Sequence, residues 1–223
     1  MTLFTDELKV MTAKSWEKSM THPFVVELAE GTLPEEAFKR YLVQDMYYLN
    51  HYSKIHALAA VQAEETAVTH MLLKQAQETI AAEMLMHTEH ARLLGMSTTI
   101  QTDIRPLPTA YGYTSHLYRV AMAGSLGQTI AGLLPCYWLY ADIGSYYRDS
   151  KPVNPLYASW LENYGSELFQ KETQVQIDLL NRLAELSSEA EKEKMRDAFK
   201  RAKEYELAFW EMAYAGEQWP SEK

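Results

Sequence analysis

Apolar residues recur at helical spacing along nearly the whole chain, and this pattern constrains the fold more than any other feature. Its longest stretch begins at the Gly-Thr-Leu-Pro-Glu sequence of residues 31–35 and reaches about Ala63 without a further Gly or Pro. No alternating segment is long enough to predict a strand that would matter for the fold. The 223 residues contain no repeat, no low-complexity tract and no linker long enough to separate two units. We therefore predict an all-α protein, a single-domain helical bundle that spans residues 1–223.

Residues typical of helix ends divide this pattern into separate predicted helices. Thr32 is the predicted N-cap of the second helix, with Glu35 as its capping-box partner. Gly95 is expected to end the third helix, and a polar loop with two prolines follows at 96–108. Pro135 removes a backbone N–H inside the fifth helix, so we expect a kink there. The predicted helices cover residues 3–20, 32–63, 66–94, 109–123, 126–148, 154–164, 166–186 and 188–216.

Composition excludes several classes of protein. Lys plus Arg number 21 against 30 Asp plus Glu, so the formal net charge is −9 and no nucleic-acid partner is expected. The single cysteine excludes an internal disulfide framework and a zinc site built from several cysteines. Asp6 and Glu7 lie where a signal peptide would carry its apolar stretch, which favours a cytoplasmic protein.

One stretch, residues 120–141, resembles a membrane span because it contains no charged residue. It also contains three glycines and Pro135, and its flanks are not basic. We therefore interpret it as a central helix buried on all sides, and we expect no membrane partner.

Tyrosine is the unusual component, with 15 Tyr against 6 Phe. Tyr combines an apolar ring with one polar group. It could therefore fill a wide helical core whose hydroxyls reach the surface, or line a pocket for a flat, polar ligand. Composition alone favours the first interpretation.

Two acids and a thiol occupy positions that the helical period reserves for the core. Asp45 continues the stripe of Phe38 and Tyr41, and Glu206 lies between Ala202 and Phe209 on the stripe of the last helix. Cys136 lies directly after Pro135 and one turn before Tyr140. Burial of an unpaired carboxylate is costly, and it raises the carboxyl pKa toward the range useful for general acid–base catalysis.

Each of the three residues also has an ordinary structural explanation. A buried cysteine is usually a small apolar side chain, and either carboxylate could be a tether to an Arg or a Tyr hydroxyl. For Asp45 or Glu206 alone we would weigh tether and catalysis equally. Their occurrence together with Cys136 on three helices favours an enzyme site in which the thiol is a nucleophile.

Metal binding is the competing interpretation for acids in a helical bundle. Di-iron bundles use Glu-x-x-His pairs, and none of the seven histidines has a Glu three residues before it. Glu83, His87 and His90 come nearest, but a solvated helix face explains them better. Spacing alone would allow His22 to bind haem, yet nothing else supports it. The Glu, Lys and Arg run of residues 189–204 is interpreted as a solvated face with local ion pairs.

Three segments together carry a resemblance to a known family. They are residues 22–52, which include Gln-Asp-Met-Tyr-Tyr-Leu, residues 133–144, which begin Leu-Leu-Pro-Cys-Tyr-Trp, and residues 206–213, Glu-Leu-Ala-Phe-Trp-Glu-Met-Ala. In order and spacing, essentially the whole chain resembles the TenA family, also called thiaminase II. The resemblance implies a haem-oxygenase-like helical bundle without haem, no metal or other cofactor, and a homotetramer.

The resemblance also implies an activity and a set of roles. The family hydrolyses 4-amino-5-aminomethyl-2-methylpyrimidine to the 5-hydroxymethyl compound and ammonia in thiamin salvage, and it cleaves thiamin. By similarity, Cys136 adds to the pyrimidine ring, Glu206 is the acid/base for the ring nitrogen and leaving group, and Asp45 holds the exocyclic amine. The positions expected to line and orient the ring are Tyr48, Tyr113, Tyr140, Tyr164 and Phe209.

The presence of Cys136 places the chain with the cysteine-containing branch of the family, since another branch lacks this residue and uses a different acidic arrangement. Two other hypotheses stay open beside the hydrolase. One is a regulatory module that binds a pyrimidine or thiamin without turnover. The other is a haem-oxygenase-like metal oxidase, against which the missing histidines argue.

Overall fold

The computed structural model describes the backbone of residues 2–93 and 104–222 and the side chains of residues 2–81 and 104–222. Within these ranges the regular structure is entirely helical, with no strand, which confirms the all-α prediction. The helices are α1 Phe4–Met11, α2 Ala13–Met20, α3 Pro23–Glu30, α4 Glu35–Gln62, α5 Thr66–Leu93, α6 Pro108–Ala123, α7 Leu126–Tyr146, α8 Pro155–Gly165, α9 Glu167–Glu185 and α10 Glu189–Ala215, followed by a 3₁₀ turn, Pro220–Glu222.

The N-terminal region differs from its prediction. The helix predicted over residues 3–20 is divided into α1 and α2 at Thr12, whose backbone angles of φ −102° and ψ 7° depart from those of a helix. The Thr12 hydroxyl donates to the Leu8 carbonyl at 2.8 Å. Helix α3 lies where no helix was predicted. The His22 ring caps it by accepting the Phe24 N–H at 3.1 Å, and Pro23 occupies the first turn, where its missing N–H costs nothing.

The predicted capping box at Thr32 is wrong. Helix α3 ends at Gly31 with φ 79°, and the Thr32 hydroxyl faces the Glu27 carbonyl at 3.5 Å. Thr32 therefore belongs to the end of α3, whereas Pro34 precedes α4 and caps it without a side-chain hydrogen bond. The N-cap of α4 lies two residues after the predicted one, because the short helix α3 ends at this point.

Most other helix boundaries follow their predicted residues. Ser166 and Ser188 accept the N–H groups of Phe169 and Glu191 at the starts of α9 and α10, and Gly216 ends α10 with φ 72°. Helix α7 stays helical through Pro135, and the kink expected there remains a prediction. Gly95 and most of the predicted 96–108 loop lie outside the described residues.

Helix α7 is the central element of the bundle. It packs against α2, α4, α6, α8, α9 and α10, and nearly all of its residues from Gly127 to Gly144 are buried. The uncharged 120–141 stretch therefore forms the end of α6 and most of this buried helix. Among the described residues, no helix is both long and apolar enough to cross a membrane.

A close backbone contact fixes α8 against α7. A Cβ atom placed on Gly144 would lie 2.3 Å from the backbone nitrogen of Gly165, so only glycine fits at this crossing. Gln170 ties the same crossing by donating to the carbonyls of Ala141 at 2.9 Å and Tyr164 at 3.1 Å. This contact holds Tyr164, at the end of α8, against the inner face of α7.

Candidate active site

The two acids and the thiol that interrupted the apolar pattern face one interior region between α4, α7 and α10. Asp45 and Glu206 are 4% and 2% exposed, as their stripe positions predicted, and Cys136 is half-buried. Burial raises the pKa of the Cys136 thiol well above its ordinary value, and the negative charges of Glu206 and then Asp45 raise it further. The structure thus brings the three residues into electrostatic contact.

Glu206 is held by a tyrosine from α6. Tyr113 donates its hydroxyl to Glu206 Oε1 at 2.7 Å. Burial raises the pKa of Glu206 to about 7, while the Tyr113 hydrogen bond and the positive charge of Lys203 act in the opposite direction. A carboxyl with this pKa can both accept and donate a proton at neutral pH.

The tyrosines around Cys136 come mainly from α4. The hydroxyls of Tyr48 and Tyr52 act to lower the pKa of the thiol, against the larger effect of burial. Tyr52 donates its own proton to the Leu133 carbonyl at 2.9 Å. The Tyr48 hydroxyl is buried and makes no hydrogen bond of normal geometry among the described residues, although it lies close enough to Cys136 and Tyr113 to act on both. The Cys136 side chain is therefore a protonated thiol at neutral pH and needs a base before it can act as a nucleophile.

Aromatic rings form the walls of this region. The Tyr48 ring lies 4.7 Å from that of Tyr113 and 6.0 Å from that of Phe209, between ring centroids. Tyr140 and Tyr164 lie 4.7 Å apart in an edge-to-face arrangement. All five tyrosines and phenylalanines predicted to line the ring are buried, with side-chain exposures of 7% or less.

The two acids act with different strength on the tyrosines around them. After burial, the charge of Asp45 is the largest contribution that raises the pKa of Tyr164, and it also raises that of Tyr41. For Tyr113 the corresponding charge is that of Glu206. Asp45 is therefore the stronger charge at Tyr164 of α8 and Glu206 the stronger charge at Tyr113 of α6, while both acids act on Tyr140 of α7. This difference is compatible with one acid holding a ring substituent while the other moves protons.

One residue of the site was not predicted. Lys203 lies in the 189–204 run that was interpreted as a solvated face, yet its side chain is fully buried, so that interpretation is wrong at this position. Its Nζ donates to the Ser15 carbonyl at 3.1 Å and to Ser19 Oγ at 2.6 Å. Helical spacing could have indicated its burial, because Lys203 is three residues before Glu206 and so lies on the same face of the helix. The remainder of the run behaves as predicted, as in the exposed Arg201–Asp197 pair.

The residues that were considered as metal or haem ligands do not form a metal site in the described part of the chain. His22 caps α3 and its Nε2 lies 3.1 Å from Glu211 Oε2, which is a structural role. The side chains of Glu83, His87 and His90 lie outside the described residues. Within the described part of the chain, no group of three or more His, Cys, Asp or Glu residues is arranged to hold a metal ion.

A large groove lies on the surface next to the site. It has a volume of about 1160 Å³, lies between α6 and α10, and includes none of the predicted site residues. Tyr205 forms part of its wall and stacks on Tyr113 with 5.3 Å between ring centroids. The stacked rings of Tyr205 and Tyr113 thus lie between the groove and Glu206.

A family model described as TENA/THI-4/PQQC matches residues 11–216. The chain belongs to this family. A TENA/THI-4/PQQC relative, the aminopyrimidine aminohydrolase of Bacillus subtilis (strain 168), is 40% identical over 97% of this chain and 92% of its own length. The resemblance to the TenA family read from the sequence is therefore confirmed.

Solved structures agree on the fold of this TENA/THI-4/PQQC chain. The TenA homologue from P. horikoshii OT3 has a TM-score of 0.89 at 28% identity, with 96% of this chain and all (100%) of the other covered. A domain with a heme oxygenase-like fold from Shewanella denitrificans OS217 has a TM-score of 0.73 at 15% identity, covering 95% and 92% of the two chains. The second likeness concerns the fold alone and confirms the haem-oxygenase-like prediction.

Proposed function

We propose that this chain is an aminopyrimidine aminohydrolase that converts 4-amino-5-aminomethyl-2-methylpyrimidine and water into the 5-hydroxymethyl compound and ammonia, in thiamin salvage. We include cleavage of thiamin between its pyrimidine and thiazole parts as a second activity of the same site. Membership of the family and the 40% identity to an aminopyrimidine aminohydrolase support this assignment. The structural observation that supports the roles of individual residues is the buried Tyr113–Glu206 pair, whose carboxylate acts on the single thiol, Cys136.

The reaction needs a ring activated toward loss of its side-chain amine, because direct displacement at this CH₂ group is slow. In our proposal the Glu206 carboxylate takes the thiol proton of Cys136, and the sulfur forms a bond to a ring carbon. Glu206 then delivers that proton to a ring nitrogen. The aminomethyl group reacts in its protonated form, so the electron pair of the exocyclic amine expels it as neutral ammonia. Water adds to the CH₂ carbon and gives one proton to Glu206. The C–S bond then breaks, the ring N–H proton passes to the sulfur, and the aromatic ring and the thiol are restored. Glu206 gives its proton to the released ammonia and returns to the carboxylate.

The other predicted residues have binding roles in this scheme. The Asp45 carboxylate accepts hydrogen bonds from the exocyclic amine of the pyrimidine. The buried Tyr48 hydroxyl makes no hydrogen bond of normal geometry among the described residues, and we assign it a bond to the substrate. Rings on both sides favour a flat aromatic ligand through stacking and edge contacts. The lining residues are Tyr48, Tyr113, Tyr140, Tyr164 and Phe209.

The test is ammonia release from the aminomethylpyrimidine by metal-free protein, with Cys136→Ser as the matched variant. Serine keeps the size and the hydrogen-bonding capacity of the side chain but is a far weaker nucleophile. We expect release by the wild type and at least a hundredfold loss, about two orders of magnitude, in the variant. Near-ultraviolet circular dichroism of both proteins checks that the fold is unchanged.

Each contrary result has its own meaning. Pyrimidine binding without ammonia release from the folded wild type would support the regulatory module that binds without turnover. Release by Cys136→Ser at the wild-type rate would keep the reaction but remove the covalent step. Stoichiometric iron in the purified protein, with oxidation in place of hydrolysis, would support the metal oxidase.

The domain organisation, the oligomeric state and the cellular location stay predictions. They are a single domain over residues 1–223, a homotetramer and a cytoplasmic location. Light scattering coupled to size-exclusion chromatography checks the assembly, for which a mass near that of one 25.7-kDa chain would be the contrary result.

A further inference from the structure

Lys203 brings a buried positive charge to the interior of the protein. Both hydrogen-bond acceptors of its ammonium, the Ser15 carbonyl and Ser19 Oγ on α2, are neutral. Neither of these bonds supplies an opposite charge. A buried cation is costly unless a negative charge compensates it, and a carboxylate that acts over a longer distance can do so.

Glu206 supplies that charge. Residues three apart lie on the same face of a helix, and both side chains are at most 2% exposed. Burial lowers the pKa of Lys203, to about 8, and the negative charge of Glu206 opposes this effect. In turn, Lys203 opposes the rise that burial imposes on the pKa of Glu206. Each residue therefore favours the charged form of the other.

We propose that Lys203 is a positioning residue that acts through Glu206: its buried ammonium keeps the Glu206 carboxylate ionised in the resting site, ready to take a proton from Cys136. This inference rests on the proposed function. Without the ammonium, the pKa of Glu206 would rise further, because the Tyr113 hydrogen bond alone would oppose the effect of burial, and a larger fraction of Glu206 would be protonated at neutral pH. A protonated Glu206 cannot accept the thiol proton, so the site would lack its base.

Within the described residues, Lys203 is the cation whose charge acts on Glu206. Lys9 of α1 acts on Lys203, and its charge lowers the pKa of Lys203. Lys9 itself pairs with Asp142 and lies 3.6 Å from the Trp16 ring centroid. The titratable groups that interact with Glu206 are Tyr48 and Tyr52 of α4, Tyr113 of α6, Cys136 and Tyr140 of α7, Tyr164 of α8 and Lys203 of α10.

A purely structural role would have a different signature. As a tether, Lys203 would connect α10 to α2 through Ser15 and Ser19, and its loss would lower stability. The pH at which Glu206 titrates would then stay unchanged. A readout of that pH separates the two roles.

Alkylation of the thiol supplies this readout without any turnover. Cys136 is the only cysteine, so the mass gain with iodoacetamide reports this residue alone. If Glu206 is the base for the thiol, the alkylation rate falls as Glu206 becomes protonated below about pH 7. We expect Lys203→Met to move this midpoint upward by about one pH unit, a roughly tenfold slower reaction on the acid side. The acid limb of kcat/KM should move with it.

Two variants serve as controls for charge. Lys203→Arg keeps a permanent positive charge and should restore the wild-type midpoint. Lys9→Met removes a nearby cation that does not act on Glu206, so its midpoint should equal that of the wild type. If Lys203→Met does not fold, Ser19→Ala removes one acceptor of the ammonium and should shift the midpoint in the same direction by a smaller amount.

An unchanged midpoint in folded Lys203→Met, or in Ser19→Ala where Lys203→Met does not fold, would overturn the inference. An equal shift in Lys9→Met would do so as well, because it would show a general effect of removing a cation. Failure of the proposed function is seen separately, as absence of ammonia release from a wild type whose thiol still shows the Glu206-dependent alkylation profile.

Discussion

Helix α10 carries charged residues on two faces, and the faces differ in what surrounds the charges. On the outer face, Arg201 and Asp197 pair at 2.9 Å with side chains that are 58% and 59% exposed. On the inner face, Glu206 and Lys203 have almost no contact with solvent. Both pairs have the spacing of three or four residues that brings side chains together on a helix.

The comparison shows that burial, and not spacing, decides what a charge on this helix can do. Water and salt screen the outer pair, so it contributes little to stability or to chemistry. The inner charges interact through a medium of low dielectric constant, where the same Coulomb interaction is several times larger. As a result, the pKa of Glu206 lies near 7, the range in which a carboxyl can move protons in both directions.

Removal of the inner acid should have the largest effect. Glu206→Gln keeps the shape of the side chain and an oxygen that can accept the Tyr113 hydroxyl, but it removes the ionisable group. We expect the fold and pyrimidine binding to persist and turnover to fall by about 10²–10⁴-fold. Ammonia release and titration calorimetry with the pyrimidine measure the two properties.

The pH dependence sharpens this prediction. In the proposed resting state Glu206 is ionised, so wild-type kcat/KM should fall as the pH drops through about 7, where this carboxyl becomes protonated. The residual activity of Glu206→Gln should lack that limb. Unchanged turnover in the variant would show that Glu206 is not the acid/base. The inner and outer faces of α10 would then not differ in their chemical role.

A smaller effect is expected from the hydroxyls that contact the inner acid. Tyr113→Phe removes a 2.7 Å hydrogen bond to Glu206, and bonds to charged groups contribute about 1.5–3 kcal/mol. We expect at least a tenfold loss of turnover at neutral pH, about 1.4 kcal/mol, and an acid limb at higher pH, because the hydroxyl no longer favours the carboxylate.

Tyr140→Phe is the matched control for Tyr113→Phe. It removes a hydroxyl whose nearest described bond is a weak one, received from Tyr41 at 3.5 Å. We expect a loss of about 1 kcal/mol or less and an acid limb in the wild-type position. Equal shifts of the acid limb in both variants would show that any buried hydroxyl, and not the bond to Glu206, sets this pH.

Periodicity predicted the inner positions well because core stripes have a strict spacing. Asp45, Cys136 and Glu206 were selected as departures from that spacing, and the structure buries both acids. The prediction was wrong for Lys203, which was assigned with its charged neighbours to a solvated face although it lies on the same face of the helix as Glu206. In a run of charged residues, the position of each residue on the helix has to be considered separately from the composition of the run.

Errors in the predicted helix boundaries arise because capping motifs are short. Thr32 and Glu35 match the capping-box pattern, although Thr32 belongs to the end of α3. Contacts between distant segments left no signal at all in the sequence. The Tyr113 hydrogen bond joins residues 93 positions apart, and the Gly144–Gly165 crossing is specified only when both backbones meet. Roles of side chains could be predicted from a family resemblance, but their partners required the fold.

The smallest effect should come from the outer face. Arg201→Ala breaks the pair with Asp197, yet we expect turnover within about twofold of the wild type and an unchanged acid limb. Addition of 1 M salt to the wild type should act in the same way, because screening over about 3 Å reaches the outer pair but not the buried one. A shift of the acid limb in either experiment would mean that outer charges reach Glu206 through the helix. The pKa of Glu206 would then depend on the charge of the whole helix, and Lys203 would lose its special position.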